Sequence, residues 1–179
     1  MEMALVLPIC IALVMNFIAI MLVVQLKAEV TAATSLAAQS AISAPVGDSF
    51  DSCSYASDSF FSTLFNTNAA AGGCPPSPSP GIAVNRTPPA QDQARGFANA
   101  AVTLTCVDAG PGNYFTGTGY PPPAATTGGT GPPISCTSVV SMDFANTPLG
   151  FAVLWKPTIT VTALVFPSAV RQSCPTAAC

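Results

Sequence analysis

Residues 3–24 are a run of apolar residues, interrupted only by Asn16 and without a charged side chain, preceded by Met1 and Glu2. At about 1.5 Å per residue the run spans roughly 33 Å as a helix, enough to cross the hydrocarbon core of a bilayer and too long for an ordinary soluble helix. The Ala-rich stretch that follows keeps forming helix, so one helix is expected over residues 3–43, stopped by Pro45 and Gly47. Pro8 removes one backbone hydrogen bond near its start and is expected to kink or locally unwind it. Asn16, polar amid aliphatics, has two readings: a hydrogen bond to a neighbouring helix, or one to its own backbone.

A cleaved signal peptide needs a basic start, a shorter apolar stretch and a small-residue cleavage site. No Lys or Arg precedes this run, and only the Ala-rich continuation offers a cleavage site. A simple membrane anchor would use cytoplasmic Lys or Arg to set its orientation. The stub here offers only Glu2, which leads to the expectation that a basic leader once preceded Met1.

Only 7% of the 179 residues are charged, against about a quarter in a typical soluble domain. The chain therefore divides into a helix at 1–44, built for an apolar environment, and a head at 45–179 whose polarity comes from hydroxyls and amides. A net charge of −3 and no basic patch argue against nucleic acid as a partner.

Cys10 sits within the apolar run and reads as a small core residue. The other six cysteines, Cys53, Cys74, Cys106, Cys136, Cys174 and Cys179, suit three disulfides and a head outside the cytoplasm. Six cysteines allow 15 connectivities. Loop economy favours Cys53–Cys74, Cys106–Cys136 and Cys174–Cys179. Without any CxxC pair or His, a zinc site is not expected.

Within the head, residues 48–73 read as a loop holding a short helical or extended piece at 58–65. Residues 74–80 read as a stiff polyproline-like strap. Residues 87–101 read as a short helix, with Thr87 as N-cap and Pro88 at its first position. Segments 101–107, 134–144 and 157–165 alternate as strands do and predict a small antiparallel sheet. Between the first two lies a long Gly, Pro and Thr insertion whose Tyr114, Phe115 and Tyr120 either contact a partner or staple the loop to its own domain. The expected fold is α+β: a long N-terminal hydrophobic helix followed by a loop-rich, disulfide-stabilised antiparallel head.

Catalytic equipment is missing from this pattern. With no His the usual nucleophile triads are excluded, and Asp48, Asp51 and Asp58 read as solvated loop acids because they do not follow the calcium-loop spacing. Gly110-Pro-Gly112 and Gly117-Thr-Gly119 do not open a helix after a strand, as dinucleotide binding requires. No enzyme activity and no cofactor are expected. Asn85-Arg86-Thr87 is a formal N-glycosylation sequence, although Pro88 follows it, and the Ser, Thr and Pro tracts either carry O-glycans or remain unmodified loops.

Glu2-Met-Ala-Leu-Val-Leu-Pro8, with its aliphatic run and Ala-rich helix, resembles the N-terminal signature of TadE-like pseudopilins of tight-adherence pili, typically Glu-Phe-Ala-Leu-Val-Leu-Pro. Residues 159–171 are similar to the closing strand of that family. The resemblance covers the first 44 residues and about the last 20. It implies a type IV filament subunit, cut by a prepilin peptidase, held in the inner membrane by its helix, and extracted by the pilus assembly machinery into a homo-oligomeric helical filament on the cell surface. Glu2 would then meet the N-terminal amine of a neighbour, with Pro8 and Asn16 as further assembly residues. In typical pilins the glutamate is fifth in the mature chain; here it is second. Two other readings remain at this point. One is a minor pseudopilin priming a filament made by another subunit. The other is a single-pass, membrane-anchored binding or adhesion module that uses the loop at 114–120.

Overall fold

Alternation of apolar and hydroxyl side chains organises the head. The computed structural model describes residues 2–43, 49–65, 74, 81–108, 134–147, 149, 153 and 155–165. The chain runs α1 (Glu2–Ser43), α2 (Ser49–Phe65), β1 (Gly81–Arg86), α3 (Ala90–Gln93), β2 (Val102–Asp108), β3 (Ile134–Ser141), a 3-10 turn (Phe144–Asn146) and β4 (Thr158–Val165). The strands form one antiparallel sheet in the order β1-β2-β3-β4. The α+β layout expected from the sequence is therefore present, with a long apolar helix ahead of a small antiparallel sheet.

Period-two alternation sends every second strand residue to one face. Ile82 and Val84, then Leu104 and Cys106, then Ile134, Cys136 and Val140, then Ile159 and Val161 are buried on that face. The C-terminal half of α1 packs against β3, β4 and α2. Small residues Ala33, Ala37, Ala38 and Ala41, all buried, let it approach closely. One polar pair is set into this contact. Thr34 donates from Oγ1 to the Val30 carbonyl at 2.6 Å and so accepts from Ser138 Oγ at 2.7 Å. Both residues are fully buried. Loss of the Thr34 hydroxyl would leave the buried Ser138 hydroxyl without this partner, at about 1–3 kcal/mol, so the pair disfavours any sliding of helix on sheet.

The disulfides Cys53–Cys74 and Cys106–Cys136 form as expected. Cys106 and Cys136 are register partners on β2 and β3, whereas Cys53 ties α2 to the segment before β1. The Cys174–Cys179 pairing lies outside the described residues, as do residues 109–133 with Tyr114, Phe115 and Tyr120.

Several expectations are corrected. Residues 49–65 are a 17-residue helix, not a loop with a short insert. Its buried Cys53, Ala56, Phe60, Phe61, Leu64 and Phe65 recur at helical spacing, and their burial outweighs the weak helix propensity of six serines. Asp58 thus lies on a helix rather than in a loop, with Oδ1 buried and unpaired among the described residues. The helix expected at 87–101 shrinks to Ala90–Gln93, behind Pro89 instead of Thr87. A residue before proline is steered away from helix, so Pro88 cannot join it. Gly96, at φ 103°, ends the turn; a side chain there would press on Phe144 Cε1 at 3.1 Å.

Strand β1 was not expected, and β3 ends at Ser141 rather than at 144. Beyond it Met142 bridges to Phe97, and Asp143 caps the 3-10 turn by accepting from the Ala145 amide at 3.0 Å. Lys156 also donates to Asp143 Oδ2 at 2.6 Å. The Lys156 hydrogen bond, then the Ala145 amide, hold the Asp143 carboxyl below its ordinary value of 3.8. A depressed folded-state pKa favours the fold above the unfolded-state value, and this contribution disappears as pH falls through the folded one. Asp143→Asn should therefore lose stability at pH 6 while changing little at pH 2. Thermal melts of both proteins at the two pH values check this.

Candidate functional site

Over residues 6–24 helix α1 is apolar on every side apart from Asn16, yet only one side of part of it is covered. At 3.6 residues per turn, Met15, Ala19, Leu22, Val23, Leu26, Val30 and Ala33 share a face, and all belong to or pack on the protein's hydrophobic core. The opposite side carries Phe17, Met21 and Val24, which remain exposed. Nearer the N-terminus no side is covered. Val6, Leu7, Ile9, Ile11, Leu13 and Val14 are each between 44% and 66% exposed. Eleven large apolar side chains between Val6 and Val24 thus face outward. By length and composition Val6–Ile42 is able to cross a membrane.

The assembly residues expected from the sequence all lie on this helix. Glu2 opens it, and its side chain lies outside the described residues. The helix runs unbroken through exposed Pro8, where the Ala4 carbonyl loses its usual donor. Asn16 donates from Nδ2 to the Ala12 carbonyl at 2.8 Å. Of its two sequence readings, the bond to its own backbone is the one observed. Cys10, expected as a core residue, is instead an exposed free thiol, because it sits below the part of α1 that the head covers.

Just beyond the bare section, Arg95 fastens the head to α1. One guanidinium nitrogen donates to Glu29 Oε2 at 2.6 Å, and the other to Asp92 Oδ1 at 3.1 Å and the Leu64 carbonyl at 3.4 Å. Three segments therefore meet on one side chain. Arg95 and Glu29 are each about half exposed, so their pair contributes orientation more than stability. Asp92 is almost fully buried, and its Oδ2 has no hydrogen-bond partner among the described residues. Sequence reasoning missed this joint, since residues 29, 64, 92 and 95 share no local pattern.

No family model, curated protein or solved structure matches the chain. Chemical equipment is likewise thin at this site. Among the described residues no three His, Cys, Asp or Glu side chains gather closely enough to hold a metal ion. What the arrangement offers is apolar surface: a helix with one side on its own head and the rest awaiting cover.

Proposed function

We propose that the chain is a structural subunit of an extracellular, type IV pilus-like filament, and that it assembles through α1. The observation that carries this is the half-covered helix. Burying a large apolar side chain is worth about 1.5–3 kcal/mol, so eleven exposed ones constitute a strong drive to leave water. A helix that is bare at one end and half covered higher up suits a lattice of similar helices, each supplying cover to the next.

The resemblance of residues 2–8 to TadE-like pseudopilins supports the same reading, as does a head closed by disulfides. Under it, the membrane holds α1 before assembly, a prepilin peptidase matures the N-terminus, and the assembly machinery moves the subunit into the polymer. Glu2 then pairs with a neighbour's N-terminal amine, because an acid buried in a helical core needs a cation.

Electron microscopy of material sheared from the cell surface, with antibody to the head, tests this. Labelled filaments that vanish on deletion of residues 3–14 are expected. A detergent-soluble monomer as the sole form, or filaments lacking the chain, would overturn it.

A further inference from the structure

The face of the sheet turned away from α1 carries none of the head's described charges. Its side chains are short hydroxyls, amides and aliphatics. Strand register aligns Asn85 with Thr103, and sets Thr105, Thr137 and Thr162 in one row across three strands. Thr137 and Thr162 lie with their hydroxyls 3.1 Å apart. No described element covers these rows, and β1, which carries Asn85, is an edge of the sheet among the described residues.

We propose that Asn85 is a site of N-linked glycosylation and that its glycan lies over this hydroxyl face. The acceptor triplet Asn85-Arg86-Thr87, with Pro88 directly after it, supplies the required side chains at the end of β1. Asn85 and Thr87 are both exposed. Arg86 turns to the other side of the strand, with its guanidinium 6.0 Å from the centre of the Phe61 ring, and so aims Asn85 outward. The Asn85 carboxamide makes no hydrogen bond to any described residue, leaving its nitrogen available.

In the transfer, Asn85 Nδ2 forms a bond to the anomeric carbon of a sugar carried on a lipid pyrophosphate. The bond from that carbon to the pyrophosphate oxygen breaks, the pyrophosphate leaves as the lipid-linked anion, and one amide proton is released. A glycan anchored at Asn85 reaches Thr103 first, its register partner, and then Thr105. Their hydroxyls donate to and accept from sugar hydroxyls, while their methyls meet the sugar's C–H faces. A charged or strongly apolar face would offer no such match.

The proposal rests on the head being outside the cytoplasm, where such donors are used. Mass spectrometry of the full chain purified from its native cell separates the two claims. A peptide spanning residues 81–95, made with a protease that does not cut after Arg, is expected to carry a sugar increment. Asn85→Gln and Thr87→Ala should each abolish the increment, and Thr87→Ser should keep it. An unmodified peptide, or an increment that survives Asn85→Gln, overturns the inference. Oxidised Cys53–Cys74 and Cys106–Cys136 beside an unmodified Asn85 would leave the location standing and remove only the glycan. Reduced cysteines beside an unmodified Asn85 would remove both.

Discussion

Phe97→Ala is expected to lower the melting temperature of the head by roughly 10–20 °C. Phe97 is fully buried, meets Phe65 edge-on at 5.3 Å and lies under the Arg95 guanidinium at 5.8 Å. Its backbone bridges to Met142, so the ring sits where α2, the end of β3 and the turn after α3 converge. Emptying such a site costs about 3–5 kcal/mol, from lost transfer energy and from the cavity left behind. Domains of this kind have only about 5–15 kcal/mol in total. Trp155→Ala makes the comparison, because Trp155 is 39% exposed and touches Phe144 at 6.0 Å from the rim. Its replacement should shift the melt by a few degrees at most. Circular dichroism melts of both variants, with disulfides intact, decide the matter; an equal shift would mean that the aromatic cluster is not the keystone of the head.

The elements most legible in the sequence are those whose pattern matches a single period. Strands β2, β3 and β4 alternate over most of their length, and α1 has length and a nearly continuous apolar first half, so each was recognisable without tertiary information. The helix α2 was obscured by composition. Its serines favour turns and caps, and only packing of Phe60, Phe61, Leu64 and Phe65 on the core tips the balance toward helix. Strand β1 is six residues between proline-rich flanks, and its one clear signal is the pair Ile82 and Val84. It pairs with β2 along its whole length. Gly81 fits the pairing tightly, since a side chain there would meet the Cys106 carbonyl at 2.6 Å.

The candidate site divides in the same way. That residues 3–24 need an apolar surrounding was plain from the sequence. Which side the head would cover was not, because a helix apolar all round gives its pattern no preferred face. Arg95 illustrates the same limit for polar contacts: its partners come from three places distant in the chain, and charge alone did not single it out.

If the chain assembles through α1 as proposed, recasting the exposed residues of α1 as leucine should keep it in membranes and stop it from polymerising. The change covers Val6, Ile9, Ile11, Val14, Phe17, Ile18, Ile20, Met21 and Val24, while Met15, Ala19, Leu22, Val23 and Leu26 keep the face that belongs to the head. Lipid reads hydropathy and length, both of which leucine preserves. Neighbouring helices read shape, because packed interiors leave few voids and tolerate little excess volume. Two or three ill-fitting contacts, at about 1–3 kcal/mol each, recur in every subunit of a polymer. Filament yield in sheared fractions should therefore fall by two orders of magnitude or more, with the membrane fraction unchanged. If the leucine variant polymerises normally, α1 acts only as a greasy anchor, and the growth of any filament must be driven by contacts between heads. A single Val24→Lys, at the end of the apolar run and on the side away from the head, sharpens the contrast. In a bilayer a lysine near the end of an apolar span snorkels to the surface at modest cost. On a dry face between helices it has no such escape, and an unpaired charge there costs about 3–5 kcal/mol. Retained anchoring with lost assembly in both variants would place the function of α1 in the fit between copies.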